Sequence, residues 1–80
     1  MLFAEIKITL KKTVADPQGI TVKHGLDALG FDSVAEVRMG KLIRLSLNET
    51  DKIKAEAQVK EMCQKLLSNP IIEEFSVEIK

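Results

Sequence analysis

Asp16-Pro17-Gln18-Gly19 is where the hydrophobic period of this chain changes, and it divides two kinds of local structure. Before it, Ala4, Ile6, Ile8 and Leu10 alternate with Phe3, Glu5, Lys7, Thr9 and Lys11, the period-two pattern of a strand with one buried face. After it, Gly19, Val22, Leu26 and Leu29 recur at three- and four-residue steps, a helical stripe with Gly25 beside it. Asp16 is suited to accept hydrogen bonds from the free amides of a first helical turn. Pro17 suits the first helical position, where its missing N–H has no intrahelical partner. The helix is therefore expected to start at Pro17. Gly19 in that first turn costs about 1 kcal/mol relative to alanine, so either another group approaches its backbone closely or the position is simply costly. Gly30 stands where a helix stop is expected, with Phe31 reaching back onto the last turn.

The remaining chain alternates in the same way. Gly40 separates two β-rich runs, Val34 to Met39 and Lys41 to Leu47, which read as a hairpin with Gly40 at positive φ in the turn. Thr50 or Asp51 caps a second helix, whose stripe of Ala55, Val59, Met62 and Leu66 is flanked by Ile53, Cys63 and Leu67. Asn69-Pro70 ends it, because the residue before a proline is pushed out of the helical region. Phe75, Val77 and Ile79 then alternate with Glu74, Ser76 and Glu78 in a last strand. The order is βαββαβ, a ferredoxin-like α+β fold: one domain over residues 1–80, with a four-stranded antiparallel sheet and both helices on one face. Cys63 and Leu66 are expected to be core residues, and Met62 with them.

A chain of 80 residues buries only roughly 60 to 65% of its unfolded surface, which leaves little interior for an enclosed active site. Twelve basic and twelve acidic residues cancel, removing the long-range attraction that nucleic acid or an anionic membrane exploits. The single cysteine can form neither an internal disulfide nor a CxxC pair. With Glu5 and Lys7 interrupting the first apolar run, the expectation is a cytoplasmic protein with no signal peptide.

Individual residues point to contacts rather than chemistry. His24, the only histidine, has no second ligand on its helix face, so it reads as an exposed helix residue or a partner contact. Glu73-Glu74 and Glu78 resemble paired carboxylates but alternate along a strand without a pocket. Lys11-Lys12, Arg38, Lys41 and Arg44 are the one basic concentration, read as solvated charge or partner recognition. The run Lys41-Leu42-Ile43-Arg44-Leu45 lacks the aromatic platform of an RNA-recognition domain of this topology, and the CxxC of a copper chaperone is absent. Free strand edges and a half-covered sheet predict a symmetric homo-oligomer, dimer or tetramer.

Three stretches in this order carry a resemblance: Asp16-Pro17-Gln18-Gly19 with Val22 and Leu26; Val37-Arg38-Met39-Gly40-Lys41; and Val59-Lys60-Glu61-Met62-Cys63-Gln64-Lys65-Leu66-Leu67, leading through Asn69 to Ile72-Glu73. Taken together, nearly end to end, they resemble the PurS family, the small subunits of bacterial and archaeal phosphoribosylformylglycinamidine (FGAM) synthase in purine biosynthesis. Gly25 departs from the alanine more often expected there. The resemblance implies a subunit without catalytic residues, cofactor or metal of its own, since ATP and Mg are used by a PurL-type synthetase. It also implies a bridge from that synthetase to a PurQ-type glutaminase, helping ammonia pass between them. Arg38, Lys41, Arg44 and His24 are then the candidate partner contacts. The alternative from another class is a ligand-sensing module of ACT type, which shares the topology.

Overall fold

The structure is a computed structural model describing residues 1–80. Its sheet has three antiparallel strands, β1 (Leu2–Leu10), β2 (Gly40–Leu47) and β3 (Glu73–Ile79), with β1 in the middle. Two helices, α1 (Pro17–Ala28) and α2 (Lys52–Met62), complete the regular structure. In register, Ala4, Ile6 and Ile8 of β1 stand opposite Leu45, Ile43 and Lys41 of β2 and opposite Ile79, Val77 and Phe75 of β3. The alternation thus presents one apolar face, and α2 covers it with Ala55, Val59 and Cys63, all at 0% exposure. Ile6, Ile8, Val59 and Cys63 are the large, fully buried side chains, so the interior is the contact of one helix with the central strand.

Asp51 is the cap of α2: its carboxylate accepts from the amides of Ile53 (3.0 Å) and Lys54 (3.3 Å). The buried stripe runs 55, 59, 63 rather than through Met62 and Leu66, which are 38% and 82% exposed. Beyond Cys63 the helix widens, and Leu67 rather than Leu66 packs against the core. Cys63–Leu67 is a π-helical turn, closed by the amide and hydroxyl of Ser68 donating to the Cys63 carbonyl, both at 2.9 Å. This corrects the expectation that Met62 and Leu66 belong to the core.

Two further expectations are corrected. The sheet has three strands, not four: residues 34–39 form no strand and pair with neither β1 nor β2. Gly40 is not at positive φ; the only such residue is Gly30 (94°), where α1 ends with the Phe31 amide bonded to the Leu26 carbonyl. What Gly40 provides is room, since a Cβ there would stand 2.8 Å from the carbonyl oxygen of Ile8 on β1. Nor do both helices cover the sheet. Only α2 does, whereas α1 buries nothing but Gly19 and forms, with residues 31–39, an arm projecting from the sheet. The radius of gyration, 16.1 Å, exceeds the roughly 12 Å expected of a compact chain of this length, and the molecule measures 49 × 24 × 14 Å.

The rotated stripe makes a stability prediction. Leu66→Ala should change the unfolding free energy by no more than about 0.5 kcal/mol, whereas Ile6→Ala, at 0% exposure, should cost about 2 to 5 kcal/mol. Urea denaturation followed by far-UV circular dichroism measures both, and comparable losses would contradict this packing.

Candidate assembly interface

The arm departs from the sheet at Asp16, the most buried charged residue, at 4% exposure. One carboxylate oxygen accepts from the Gly19 amide (2.9 Å), the helix cap that the Asp-Pro pair foretold. The other accepts from the amide of Met39 (2.6 Å), immediately before β2. The same side chain therefore ties the start of α1 to the far end of the 31–39 segment. Arg38 adds a second tie, donating to the carbonyls of Lys11 and Val14, both at 2.9 Å. Gly19 is required because the Val37 carbonyl lies where its Cβ would be, so the close approach anticipated at that glycine is a strand-like segment of the chain itself. The Met39 amide, then that of Gly19, hold the Asp16 carboxyl below its ordinary value by favouring the charged form.

Above this corner the arm is apolar and uncovered. Ile20 is 51% exposed, Leu29 74% and Phe31 58%, although helix residues of this kind normally face a core. On the sheet, the inner side of β2 carries Ile43, Leu45 and Leu47, which only touch the edge of the core and have no helix above them. The chain thus displays an apolar helix without a sheet and an apolar strand without a helix.

The anticipated contact residues are scattered around this surface. His24 is exposed on α1. Lys41 is exposed at the base of β2, with its ammonium 3.6 Å from Glu73. Arg44 lies on the other face of the sheet, 3.6 Å from Glu5, which Lys80 also reaches at 3.1 Å. Chiefly through that Lys80 hydrogen bond, the Glu5 carboxyl is held below its usual range. Arg38 is turned inward on its two carbonyls and is half-buried. No three histidine, cysteine or acidic side chains converge into a metal-ligating group, and burial pushes the Cys63 thiol up, away from the thiolate a nucleophile needs. No helix is long and apolar enough to cross a membrane. What sequence reasoning missed is the bridge to Met39; its trace was the pairing of Asp16 with a glycine three residues on, read only as a cap.

The fold is shared with known proteins. The family model for PurS, phosphoribosylformylglycinamidine (FGAM) synthase, matches residues 3–80. The chain belongs to the PurS family. It is 45% identical over 74 residues to the phosphoribosylformylglycinamidine synthase subunit PurS of Synechocystis, covering 92% of this chain and 74% of that one. The crystal structure of Methanocaldococcus jannaschii PurS, one of the subunits of formylglycinamide ribonucleotide amidotransferase, superposes with a TM-score of 0.91 at 39% identity, covering 100% of this chain and 96% of that one. A chain in the structure of PurLQS from Thermotoga maritima matches with a TM-score of 0.87 at 33% identity, with 100% and 99% covered. The ACT-type alternative is not favoured, since family and relatives alike are PurS.

The Asp16 bridge predicts a titration. A carboxyl lowered by folding stabilises the corner fully above the ordinary aspartate value of about 4, and that contribution is lost as pH falls through its lowered value. By NMR, the Met39 amide shift should titrate with a midpoint below about 4. A midpoint at the ordinary value would show that the bridge is absent in solution.

Proposed function

We propose that this chain is the non-catalytic assembly subunit of a cytoplasmic FGAM synthase, holding a PurL-type synthetase and a PurQ-type glutaminase so that ammonia passes between their active sites. The observation that carries this reading is the surface just described, seen in a PurS-family chain that matches one in PurLQS. A protein with little interior, a buried unreactive thiol and unpartnered apolar surfaces is built to be completed by neighbours. Exposed His24, Lys41 and Arg44 are the side chains assigned to contact with the two enzymes, with Arg38 acting from inside the corner.

The same reading gives the chain its first partner, a second copy. Residues 34–39 leave the sheet unpaired at Gly40, and antiparallel pairing of two copies about a two-fold axis near that residue sets β2 of each beside 34–39 of the other. Each sheet thereby gains its fourth strand, and each α1 lies over the Ile43, Leu45 and Leu47 of its partner. The four-stranded ferredoxin-like sheet with two covering helices is then completed between chains.

Two experiments test this. Light scattering after size exclusion should give about twice 8.9 kDa for the free chain, and Leu29→Glu with Phe31→Glu should shift it toward monomer, although both residues are exposed in the single chain. A wild-type monomer would exclude the exchange. In reconstituted synthase, omitting this chain should nearly abolish product formed with glutamine and matter far less with high ammonium salt. Equal loss with both nitrogen sources would mean that the subunit also shapes the synthetase site, and no loss with either would remove the proposal.

A further inference from the structure

Within a single chain the arm is oriented by polar bonds at one corner, without apolar packing of α1 on its own sheet. Three pieces of chain meet at this corner: the loop after β1, the first turn of α1, and residues 37–39 at the entry to β2. None of the residues that form the dry interior, Ala4, Ile6, Ile8, Ala55, Val59, Cys63 and Ile79, lies on the arm. The direction of the arm and the stability of the sheet are therefore separable. A cap requires only the bond to Gly19; the bond to Met39, across 23 residues, adds nothing to the helix and everything to its direction. The tight fit of Gly19 against the Val37 carbonyl has the same effect, because it allows one approach of helix to segment.

We infer that Asp16 is a positioning residue for glutamine-dependent amidation: by bridging Gly19 and Met39 it sets the angle at which the arm crosses to the second copy, and with it the relation of the two copies in the assembled complex. This rests on the assembly role proposed above. A chain with a slack corner still binds, but holds the two enzymes in a poorer relation.

Asp16→Ser separates cap from bridge, since serine caps a helix well and is too short to serve both amides. Hydrogen exchange should show Gly19 still protected and Met39 at least about tenfold faster, a loss of roughly 1.4 kcal/mol at 25 °C. The thermal midpoint of the sheet should stay within a few degrees. With wild-type synthetase and glutaminase, the glutamine-dependent rate is then measured as the subunit is titrated to saturation. The expected result is a plateau lowered about fivefold or more, which excess subunit does not restore. A wild-type plateau overturns the inference, whether reached at the wild-type concentration, leaving Asp16 as a cap, or only with more subunit, leaving it as a source of affinity. If Asp16→Ser loses the sheet itself, the separability fails, and Gly19→Ala, which leaves Asp16 in place and pushes Val37 away, decides positioning by the same plateau. Should the wild-type chain give no stimulation, the assembly role fails and the inference with it. That outcome is distinct from a stimulating wild type with an unaffected variant.

Discussion

The closure of α2 over the central strand is the contact on which the other parts of this molecule depend. Ala55, Val59 and Cys63 descend on Ala4, Ile6 and Ile8, and this one layer excludes water from the only dry interior the chain has. Small residues at 4, 55 and 63 let the helix sit close. The π-helical turn keeps the stripe aimed at the sheet for one more turn, ending where Ser68 closes it. With the interior filled by one helix, the second has no place on its own sheet beyond the edge strand β2. Burial, elsewhere the force that collapses a chain of this length, is here left incomplete.

That incompleteness explains the polar corner. An element that packs on nothing in its own chain is held there by directional bonds, and the Asp16 carboxylate, accepting from two amides far apart in sequence, makes such bonds. Surface ion pairs such as Glu5 with Arg44 and Lys80 contribute little by comparison, being solvated and screened. The division of labour suits the assembly role proposed above: an apolar layer makes the sheet stable, and a few hydrogen bonds set where its arm points. In a family of synthase subunits, that separation lets assembly surface be displayed without unfolding the chain that carries it.

Much of the fold was legible because its signals are local. Alternation along Leu2–Leu10 and Glu73–Ile79, the proline at the first position of α1, and the Asn69-Pro70 stop each reflect one residue's effect on its own turn or strand. Met62 and Leu66 were misplaced because a stripe with steps of three and four and a stripe of 55, 59, 63 differ by only part of a turn. The π-helical turn that settles the matter leaves no mark in periodicity. Gly40 was misread for a related reason: a glycine signals permissiveness, not its cause, and close approach to the Ile8 carbonyl looks in sequence like a turn.

By itself the amino-acid sequence determined where β1, α1, β2, α2 and β3 lie, which face of β1 is apolar, the cap at Asp16 and the family resemblance, all of which depend on residues near one another or on ordered motifs. Only the tertiary structure decided that residues 34–39 form no strand, that α1 stands clear of the sheet, and that Asp16 reaches Met39. The physical reason is common to all three. Apolar residues on a helix report that it will be buried but not against which copy of the chain, and a carboxylate reports that it accepts hydrogen bonds but not from which distant amide.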